Sequence, residues 1–342
     1  MSLLHVDDVT MQFGGLTAVN KVDFRVERGQ IFSVIGPNGA GKTTVFNAIT
    51  GVYEPTEGII LIDGRPGMRP VTPRTILGIA LVGVLTAAGF TIALNLESMW
   101  NAAISANYIY KQPFAWGKAI GDALGHLRSA PATLTLLPAI AGLLIGVAGA
   151  TSVWRRSRRS PDVVARQGVA RTFQNPRVFH QMTVLENVLV GMDTKLRTRF
   201  WHAACRLGFK HEHCSSVEKA MAMLRFVELE DEAGAAASCL SYGHQRRLEI
   251  ARALASEPKL LLLDEPAAGM NPSESVDLME LIRKIRDRGI AVVLIEHHMN
   301  LVMGVSDRIA VLDYGNKIAE GTPDEIQACP KVRKAYLGTD LD

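Results

Sequence analysis

The sequence has 342 residues, a formal net charge of +3 and an apolar fraction of 48%. This length suits a globular enzyme domain with an additional module, and so small a charge excess gives no reason to expect nucleic-acid binding. The four cysteines show no disulfide spacing, and residues 1–9 lack an apolar core long enough for a signal peptide.

The first informative element is the apolar run Ile31–Ile35, whose β-branched residues predict a buried strand. The glycine-rich segment after it has the spacing of a phosphate-binding loop and reads Gly36-Pro37-Asn38-Gly39-Ala40-Gly41-Lys42-Thr43-Thr44. Its glycines allow backbone N–H groups to surround a polyphosphate. Lys42 is expected to reach the β- and γ-phosphates, and the Thr43 hydroxyl is expected to hold Mg²⁺. A short motif can match by chance, but here strand, loop and helix follow in the required order.

Residues 67–159 differ in composition from the rest of the chain. Two segments within them, at about 75–96 and 130–154, carry no charged side chain. Each reaches the roughly 20 residues that a helix needs to cross the hydrocarbon layer of a membrane. We therefore predict a transmembrane hairpin of two helices, in which Pro138 is tolerated as prolines are in other membrane helices.

The flanking charges predict how this hairpin is oriented. Arg65, Arg69 and Arg74 precede the first segment, and four further arginines follow the second between positions 155 and 159, which places both outer ends on the cytoplasmic side. The aromatic residues between the segments suit a membrane interface and are Trp100, Tyr108, Tyr110, Phe114 and Trp116. Two alternatives are buried helices of an inserted soluble subdomain, which the many Ala and Gly residues favour, and a gene-model or fusion artefact.

Two regions follow the insertion. Residues 180–238 have helical periodicity, visible at Val217, Ala220 and Leu224, and are predicted to form a small helical subdomain. Leu260–Leu263 predicts a strand buried on both faces, which carries Asp264 and Glu265 to its carboxyl end.

Parallel α/β sheets bind their ligands at the carboxyl ends of the strands, so this acid pair is well placed for catalysis. Asp264 is expected to bind the hydration shell of Mg²⁺, and Glu265 to polarise the attacking water as general base. The alternative is a pair of solvated acids at a strand end. Together with the phosphate loop, the pair predicts nucleotide hydrolysis.

A polar segment precedes an apolar-periodic helix and reads Leu240-Ser241-Tyr242-Gly243-His244-Gln245-Arg246-Arg247. A serine hydroxyl and a glycine N–H at a helix start can bind an anion. With the phosphate loop and the acid pair, this segment resembles the signature motif of the ATPase subunits of ATP-binding cassette (ABC) transporters. His244 and Tyr242 depart from the Gln and Gly that are common there.

The resemblance implies an α/β fold of the P-loop NTPase class, with a mainly parallel sheet, an antiparallel β subdomain and a helical subdomain. It implies ATP and Mg²⁺ as cofactors and ATP hydrolysis as the activity. Ser241 and Gly243 would contact the ATP that the opposite subunit holds.

The resemblance implies catalytic roles for two more residues beside Glu265. Gln174 resembles the loop glutamine that senses Mg²⁺ and the γ-phosphate, which makes it an Mg²⁺ ligand together with Thr43 and Asp264. His297 follows the buried strand Ala291–Ile295 and resembles the switch histidine that contacts the γ-phosphate. A lone histidine after a strand is more often structural, but the surrounding motifs favour the catalytic role.

Two further residues, Phe13 and Asn271, complete the expected site. Phe13 is expected to stack on the adenine ring, and the alternative is an aromatic residue of the core. Asn271 occupies the position of the dimer-contact loop where many relatives carry Asp.

Several segments are similar to the ATPase subunits of bacterial branched-chain amino acid importers, namely Phe13–Asn20, Arg171–Asn175, Leu240–Gly243, Glu265–Gly269 and Ala335–Gly338. This resemblance implies an ATPase on the cytoplasmic side of the inner membrane, working with two permease subunits and a second ATPase subunit in a heterodimer. A periplasmic binding protein would deliver the substrate. Because such partners select the solute, urea, amides and other small solutes are alternatives, as are a non-transport ABC ATPase and a scaffold with a decayed ATPase.

We therefore expect three parts along the chain. Residues 1–66 form the N-terminal part of the ATPase domain, with an antiparallel edge sheet and the phosphate loop. Residues 67–159 form the insertion, and residues 160–342 the remainder of the ATPase domain. In the tail, Thr322 followed by Pro323 predicts the start of a closing helix.

Overall fold

The computed structural model describes residues 2–68, 71–108, 114–129, 131–158, 160–192 and 209–337. The chain divides into two compact units, of which the first contains residues 1–68 and 160–342 and the second contains residues 69–159.

The first unit contains two β-sheets. The antiparallel sheet has the strand order β2-β1-β4-β5, with β1 Ser2–Phe13, β2 Leu16–Glu27, β4 Glu57–Ile62 and β5 Arg65–Pro66. The central sheet has the order β10-β9-β3-β8-β7-β6 and comprises β3 Ile31–Ile35, β6 Val169–Arg171, β7 Leu260–Asp264, β8 Ala291–Ile295, β9 Arg308–Asp313 and β10 Asn316–Gly321. Its strands are parallel except for β10, which is antiparallel to β9.

The helices alternate with these strands. In the first unit they are α1 Lys42–Ile49, α6 Pro161–Arg166, α7 Val184–Gly191, α8 Phe209–Phe226, α9 Tyr242–Ala255, α10 Pro272–Asp287, α11 Met299–Val305, α12 Pro323–Ala328 and α13 Pro330–Leu337. In the second unit they are α2 Pro73–Leu94, α3 Leu96–Trp100, α4 Trp116–Ser129 and α5 Ala132–Ser157.

The apolar runs found in the sequence form the buried centre of the central sheet. Every residue of β3, β7 and β8 is buried, which confirms the three predicted strands. Phe24 of the antiparallel sheet stacks on Phe32 of the central sheet, with ring centroids 5.0 Å apart, so the two sheets share one core. Because β7 and β8 pair in parallel with Asp264 opposite Ile295, their carboxyl ends meet at one edge.

Within the region predicted to be helical, 180–238, the structure describes helices α7 and α8, and residues 193–208 lie outside the described part. Val217, Ala220 and Leu224 belong to α8, and Ala220 and Leu224 are fully buried. The closing helix is also confirmed, because α12 begins at Pro323 and the Thr322 hydroxyl accepts a hydrogen bond from the N–H of Glu325.

The second unit is built around α2 and α5, which pack against each other in antiparallel orientation. Thr86 Oγ1 donates to the carbonyl of Gly142 at 2.8 Å, and Asn95 Nδ2 donates to the carbonyl of Leu134 at 2.7 Å. A Cβ atom at Gly146 would lie 1.9 Å from Thr86 Oγ1, so this glycine permits the close approach of the helices. Both helices contain segments long and apolar enough to cross a membrane, at Pro73–Leu94 and Thr133–Arg155.

Residues 95–131 connect these two helices. They include α3, a π-helical turn at Asn101–Ser105 and α4. Of the aromatic residues expected at a membrane interface, Trp100, Tyr108 and Trp116 are exposed, and Phe114 contacts Trp116 edge to face. Tyr110 lies outside the described residues.

Candidate functional site

The glycine-rich segment forms a tight loop between β3 and α1. The backbone of Gly41 has φ +97°, and a Cβ atom there would lie 2.6 Å from the carbonyl oxygen of Ala18. A Cβ atom at Gly36 would lie 2.1 Å from the carbonyl oxygen of Leu312. Only glycine fits at these two positions without moving the backbone, so the loop stays curled against its neighbours.

Lys42, the first residue of α1, folds back into this loop. Its side chain is buried, and Nζ donates hydrogen bonds to the carbonyls of Gly36 at 2.7 Å and Pro37 at 2.8 Å. Burial lowers the pKa of Lys42, whereas the negative charges of Glu265 and Asp264 oppose that shift. The loop therefore keeps a cation where polyphosphate oxygens can be bound by its ammonium group and by backbone N–H groups.

Three predicted catalytic side chains meet at Glu265, immediately after β7. Glu265 Oε1 lies 2.5 Å from Nε2 of His297, and Glu265 Oε2 accepts a hydrogen bond from Nε2 of Gln174 at 2.8 Å. The backbone of Glu265 has φ +46°, and its N–H donates to the carbonyl of Ile295 at 2.9 Å. A non-glycine residue in this left-handed region is costly and is typical of functional sites.

Asp264 is held by a residue for which the sequence analysis assigned no role. Arg171 Nη2 donates to Asp264 Oδ2 at 2.8 Å, and both side chains are largely buried. Arg171 Nη1 also donates to Oδ1 of Asn47 in α1 at 2.7 Å. The guanidinium group thus links the end of β6, the phosphate-loop helix and the end of β7, and it fixes one oxygen of the carboxylate.

These elements border a cavity of about 340 Å³. Its lining consists of Leu16, Thr17, Ala18, Asn38, Gly39, Ala40, Gly41, Lys42, Thr43, Thr44, Glu265, His297 and Tyr314. Leu16–Ala18 and Tyr314 were not expected from the sequence, and Tyr314 is 87% exposed. Phe13 does not belong to this lining. It is 43% exposed and makes an edge-to-face contact with Tyr53, with ring centroids 5.2 Å apart.

The side chains expected to hold Mg²⁺ offer the oxygen donors that this ion prefers, namely the hydroxyl of Thr43, the amide oxygen of Gln174 and the carboxylate of Asp264. Among the described residues, no group of three or more His, Cys, Asp or Glu side chains could hold a metal ion. The donor set fits Mg²⁺, which is bound in proteins by one or two carboxylates together with waters and substrate phosphates.

The segment predicted to bind the partner's ATP starts α9. Ser241 caps this helix, since its hydroxyl accepts a hydrogen bond from the N–H of His244 at 3.3 Å. His244 Nδ1 in turn lies 3.1 Å from a carboxylate oxygen of Glu232. Neither Ser241 nor Gly243 belongs to the lining of the cavity at the phosphate loop of the same chain. Asn271 caps α10 in a capping box with Glu274.

Comparison with known proteins places this architecture. The sequence model described as "ABC transporter" matches residues 19–83 and 134–268, and the one described as "Branched-chain amino acid ATP-binding cassette transporter" matches residues 316–342. The chain is 37% identical over 338 residues to the high-affinity branched-chain amino acid transport ATP-binding protein BraF of Pseudomonas aeruginosa, covering 98% of each chain. It is 35% identical, with the same coverage, to LivG of Escherichia coli, which bears the corresponding name.

The chain belongs to the ABC transporter ATPases. It is therefore an ATP hydrolase of the P-loop class, and it is the ATPase subunit of an ABC transporter. Two solved structures agree in fold: a nucleotide-free ATP-binding cassette, with a TM-score of 0.62, 24% identity and coverage of 99% of this chain and 100% of the other, and a cassette in its ADP conformation, with a TM-score of 0.63, 23% identity and 99% coverage of both.

The match of this ABC ATPase to the family sequence model is interrupted inside the second unit. Residues 84–133 lie between the two matched segments, so the match reaches into α2 from one side and into α5 from the other. The connection between the apolar helices, which contains α3, the π-helical turn and α4, lies within this unmatched stretch.

Sequence reasoning also missed a buried ion pair that connects two motifs of this ABC ATPase. Arg246 and Glu249, both in α9, are almost completely buried, and Arg246 Nη1 lies 2.8 Å from Glu249 Oε2. Arg246 donates to the carbonyls of Phe173 and Gln174, while Glu249 Oε1 accepts the N–H of Phe173 at 3.2 Å. The pair fastens the loop that carries Gln174 to the helix that begins at the signature segment. An arginine and a glutamate three residues apart in an otherwise apolar-periodic helix were the available signal.

Proposed function

We propose that this ATPase energises the uptake of branched-chain amino acids by an ABC importer. The observation that carries the ATP-hydrolysing part of the proposal is the convergence of Gln174 and His297 on Glu265 beside the phosphate loop. The similarity of residues 316–342 to the family described as "Branched-chain amino acid ATP-binding cassette transporter" and the names of BraF and LivG support the choice of substrate. Urea, amides or other small solutes are the alternatives, because permeases and binding proteins select the cargo. A non-transport ABC ATPase is the alternative from another functional class.

In the proposed mechanism Glu265 is the general base. Its carboxylate accepts the proton of the attacking water, while His297 and Gln174 hold its two oxygens in fixed positions. Lys42 and the N–H groups of residues 36–44 bind the β- and γ-phosphates. Bound Mg²⁺ would neutralise charge that develops on the phosphate oxygens, and Thr43, Gln174 and Asp264 are the residues proposed to hold it.

Phe13 is proposed to stack on the adenine ring from outside the phosphate cavity. Its partly exposed ring at the end of β1, in contact with Tyr53, supports this role, since a stacking platform must keep one face open. Tyr314 lies at the cavity itself, is exposed, and can also contact a nucleotide.

We further propose that a second ATPase subunit completes each ATP site and that the two different subunits form a heterodimer. Ser241 and Gly243 stand at the start of α9 and outside the cavity of their own chain. Ser241 is exposed and can offer its hydroxyl to ATP held by a partner, whereas Gly243 is buried. Two permease subunits are the proposed membrane partners, and a periplasmic binding protein acts indirectly. A groove of about 770 Å³ beside Phe173, Phe179 and Arg252 suits a permease segment, because it lies next to the loop that carries Gln174.

The importer proposal predicts a leucine-dependent ATPase. Membranes containing this chain, the second ATPase subunit and the permease subunits should hydrolyse ATP faster when binding protein and leucine are added together. The stimulation should vanish in the Glu265→Gln variant. An ATPase that ignores leucine and responds to urea or an amide would contradict the substrate, and copurification with ribosomes or DNA in place of permeases would contradict the transport function.

A second proposal concerns the second unit, which we infer to be a transmembrane hairpin of α2 and α5. Within the most apolar window only 6% of the α2 residues and 17% of the α5 residues are buried, whereas core helices of soluble proteins are mostly buried. Large apolar side chains cover the outward faces, including Leu77, Leu81, Leu85, Leu137 and Leu144. The inward faces are occupied by small residues and by the Thr86–Gly142 hydrogen bond, as in membrane helix pairs. The ATPase unit would then lie on the cytoplasmic side of the inner membrane.

The hairpin proposal predicts that the chain alone resists extraction from membranes. After expression without permease subunits, it should remain in the pellet in alkaline carbonate and float with lipid in a sucrose gradient. A variant carrying Leu77→Glu, Leu81→Glu and Leu85→Glu should lose both properties, since a charge near the bilayer centre, as at position 85 in the middle of α2, costs about 2.5–3.5 kcal/mol. Release of the unmodified chain by carbonate would contradict the hairpin, and pelleting without flotation would indicate aggregation instead.

A further inference from the structure

A buried carboxylate with no role in the mechanism above lies at the end of β8. Glu296 is 3% exposed and directly precedes His297. Its Oε1 accepts a hydrogen bond from the N–H of Ala267 at 2.8 Å, and its Oε2 accepts one from the N–H of His297 at 3.0 Å. A buried carboxylate is costly unless its oxygens are bonded, and here each oxygen binds one backbone N–H group.

The two N–H groups belong to different loops, which follow β7 and β8 at the carboxyl edge of the central sheet. Ala267 follows Glu265 by two residues and lies in the loop that leads to Asn271 at the start of α10. His297 carries the imidazole that contacts Glu265. The carboxylate of Glu296 therefore binds two backbone segments at once. One segment, at Ala267, follows the proposed base Glu265, and the other, at His297, carries the imidazole that contacts Glu265.

The strength of this link comes from its charge and its burial. Hydrogen bonds from backbone N–H groups to an ionised carboxylate are about twice as strong as those between neutral groups. The imidazole of His298 lies 3.7 Å from Glu296 Oε2 but is 65% exposed, so water weakens that contact. The two backbone bonds are thus the main contacts through which Glu296 acts.

We propose that Glu296 is a positioning residue for ATP hydrolysis, which keeps His297 Nε2 against Glu265 Oε1 by fixing both loops. This inference rests on the proposed role of Glu265. It also means that a displacement of the loop between Ala267 and Asn271, when a second subunit packs on it, is transmitted through Glu296 to His297. Glu296 has no contact with the nucleotide in this proposal and acts only through the two loops.

The test uses the full chain in membranes with its partner subunits and the variants Glu296→Gln, His297→Ala and the double variant. Glutamine keeps the size of the side chain, but its NH₂ group opposes one of the two N–H donors. We expect Glu296→Gln to lower kcat by about 10- to 100-fold, since small misplacements of catalytic groups have effects of this size, with the KM for ATP changed less than about twofold. The double variant should be no slower than His297→Ala alone.

The control is Glu280→Gln on the exposed face of α10, which should keep full activity. An unchanged kcat in Glu296→Gln, a rise in KM alone, or a double variant slower than His297→Ala by the product of the two effects would each overturn the proposal. If Glu296→Gln fails to fold, Glu296→Asp keeps both oxygens but withdraws them by one methylene, and it should show the same loss of kcat; full activity there overturns the proposal too. ATP hydrolysis that persists in Glu265→Gln would instead overturn the proposed base, and this inference with it.

Discussion

Glu265→Gln is expected to lower ATP turnover by about 10²- to 10⁴-fold, the usual contribution of a general base. The amide cannot accept a proton from water, but it has the size of the carboxylate and can keep one of the bonds to Gln174 and His297. Lys42 and the loop around it are unchanged by the substitution. We therefore expect ATP affinity to remain within about threefold of the original, because ground-state binding does not depend on the base.

The measurement is steady-state ATP hydrolysis together with equilibrium binding of a fluorescent ATP analogue to the same preparations. Glu280→Gln is the matched control, because it makes the same chemical change at an exposed position. Loss of binding in parallel with turnover would show that Glu265 serves the nucleotide pocket as a whole, and retained turnover would assign the base elsewhere.

The parts of the site that could be predicted from the sequence are those encoded by short local patterns. A β-branched run followed by spaced glycines and Lys42 specifies strand, loop and helix within about fifteen residues. The acids after Leu260–Leu263 and the histidine after Ala291–Ile295 fall at strand ends for the same reason. Parallel pairing of β7 with β8 then brings Glu265 and His297 together. The order of the motifs along the chain does not by itself give this distance.

The contacts that sequence reasoning missed join residues far apart in the chain. Arg171 meets Asp264 across 93 positions, and Glu296 meets Ala267 across 29. Neither pair has a periodic pattern or a capping residue to reveal it, because such contacts are created only when the strands are assembled. The position of Phe13 outside the phosphate cavity likewise depends on how the antiparallel sheet lies on the central one.

The apolar helices α2 and α5 have bounds that differ from those of the uncharged segments in the sequence. The first segment was predicted from its lack of charge at about 75–96, whereas α2 begins at Pro73 behind a Thr72 cap, a start signal present in the sequence. The second was predicted at about 130–154, yet α5 continues through Arg155 to Ser157. Arginine is a good helix former, so the end of an uncharged run need not be the end of a helix.

Arg246→Met is expected to destabilise the ATPase unit by about 3–5 kcal/mol, the cost of breaking a buried ion pair by removing one partner. The remaining Glu249 would be a buried carboxylate without its guanidinium partner. The matched control is Arg225→Met, since Arg225 and Glu230 form an exposed ion pair at 2.7 Å. That pair should contribute less than about 1 kcal/mol, as surface ion pairs do. Urea unfolding followed by circular dichroism measures the free energy of unfolding of both variants. Equal losses would contradict the larger contribution expected of the buried pair.

The double variant Arg246→Met with Glu249→Met separates stability from coupling. An apolar pair of similar volume is often as stable as a buried ion pair, so most of the lost stability should return. Arg246 also donates to the carbonyls of Phe173 and Gln174, and Glu249 accepts the N–H of Phe173, bonds that methionine cannot make. The loop carrying Gln174 would then be released from α9 in a stable protein. We expect turnover to stay at least about 10-fold low, because Gln174 no longer holds Glu265 Oε2 in a fixed position. A double variant that regains both stability and turnover would show that the pair only fills the core, whereas stability without turnover would show that α9 controls the glutamine loop.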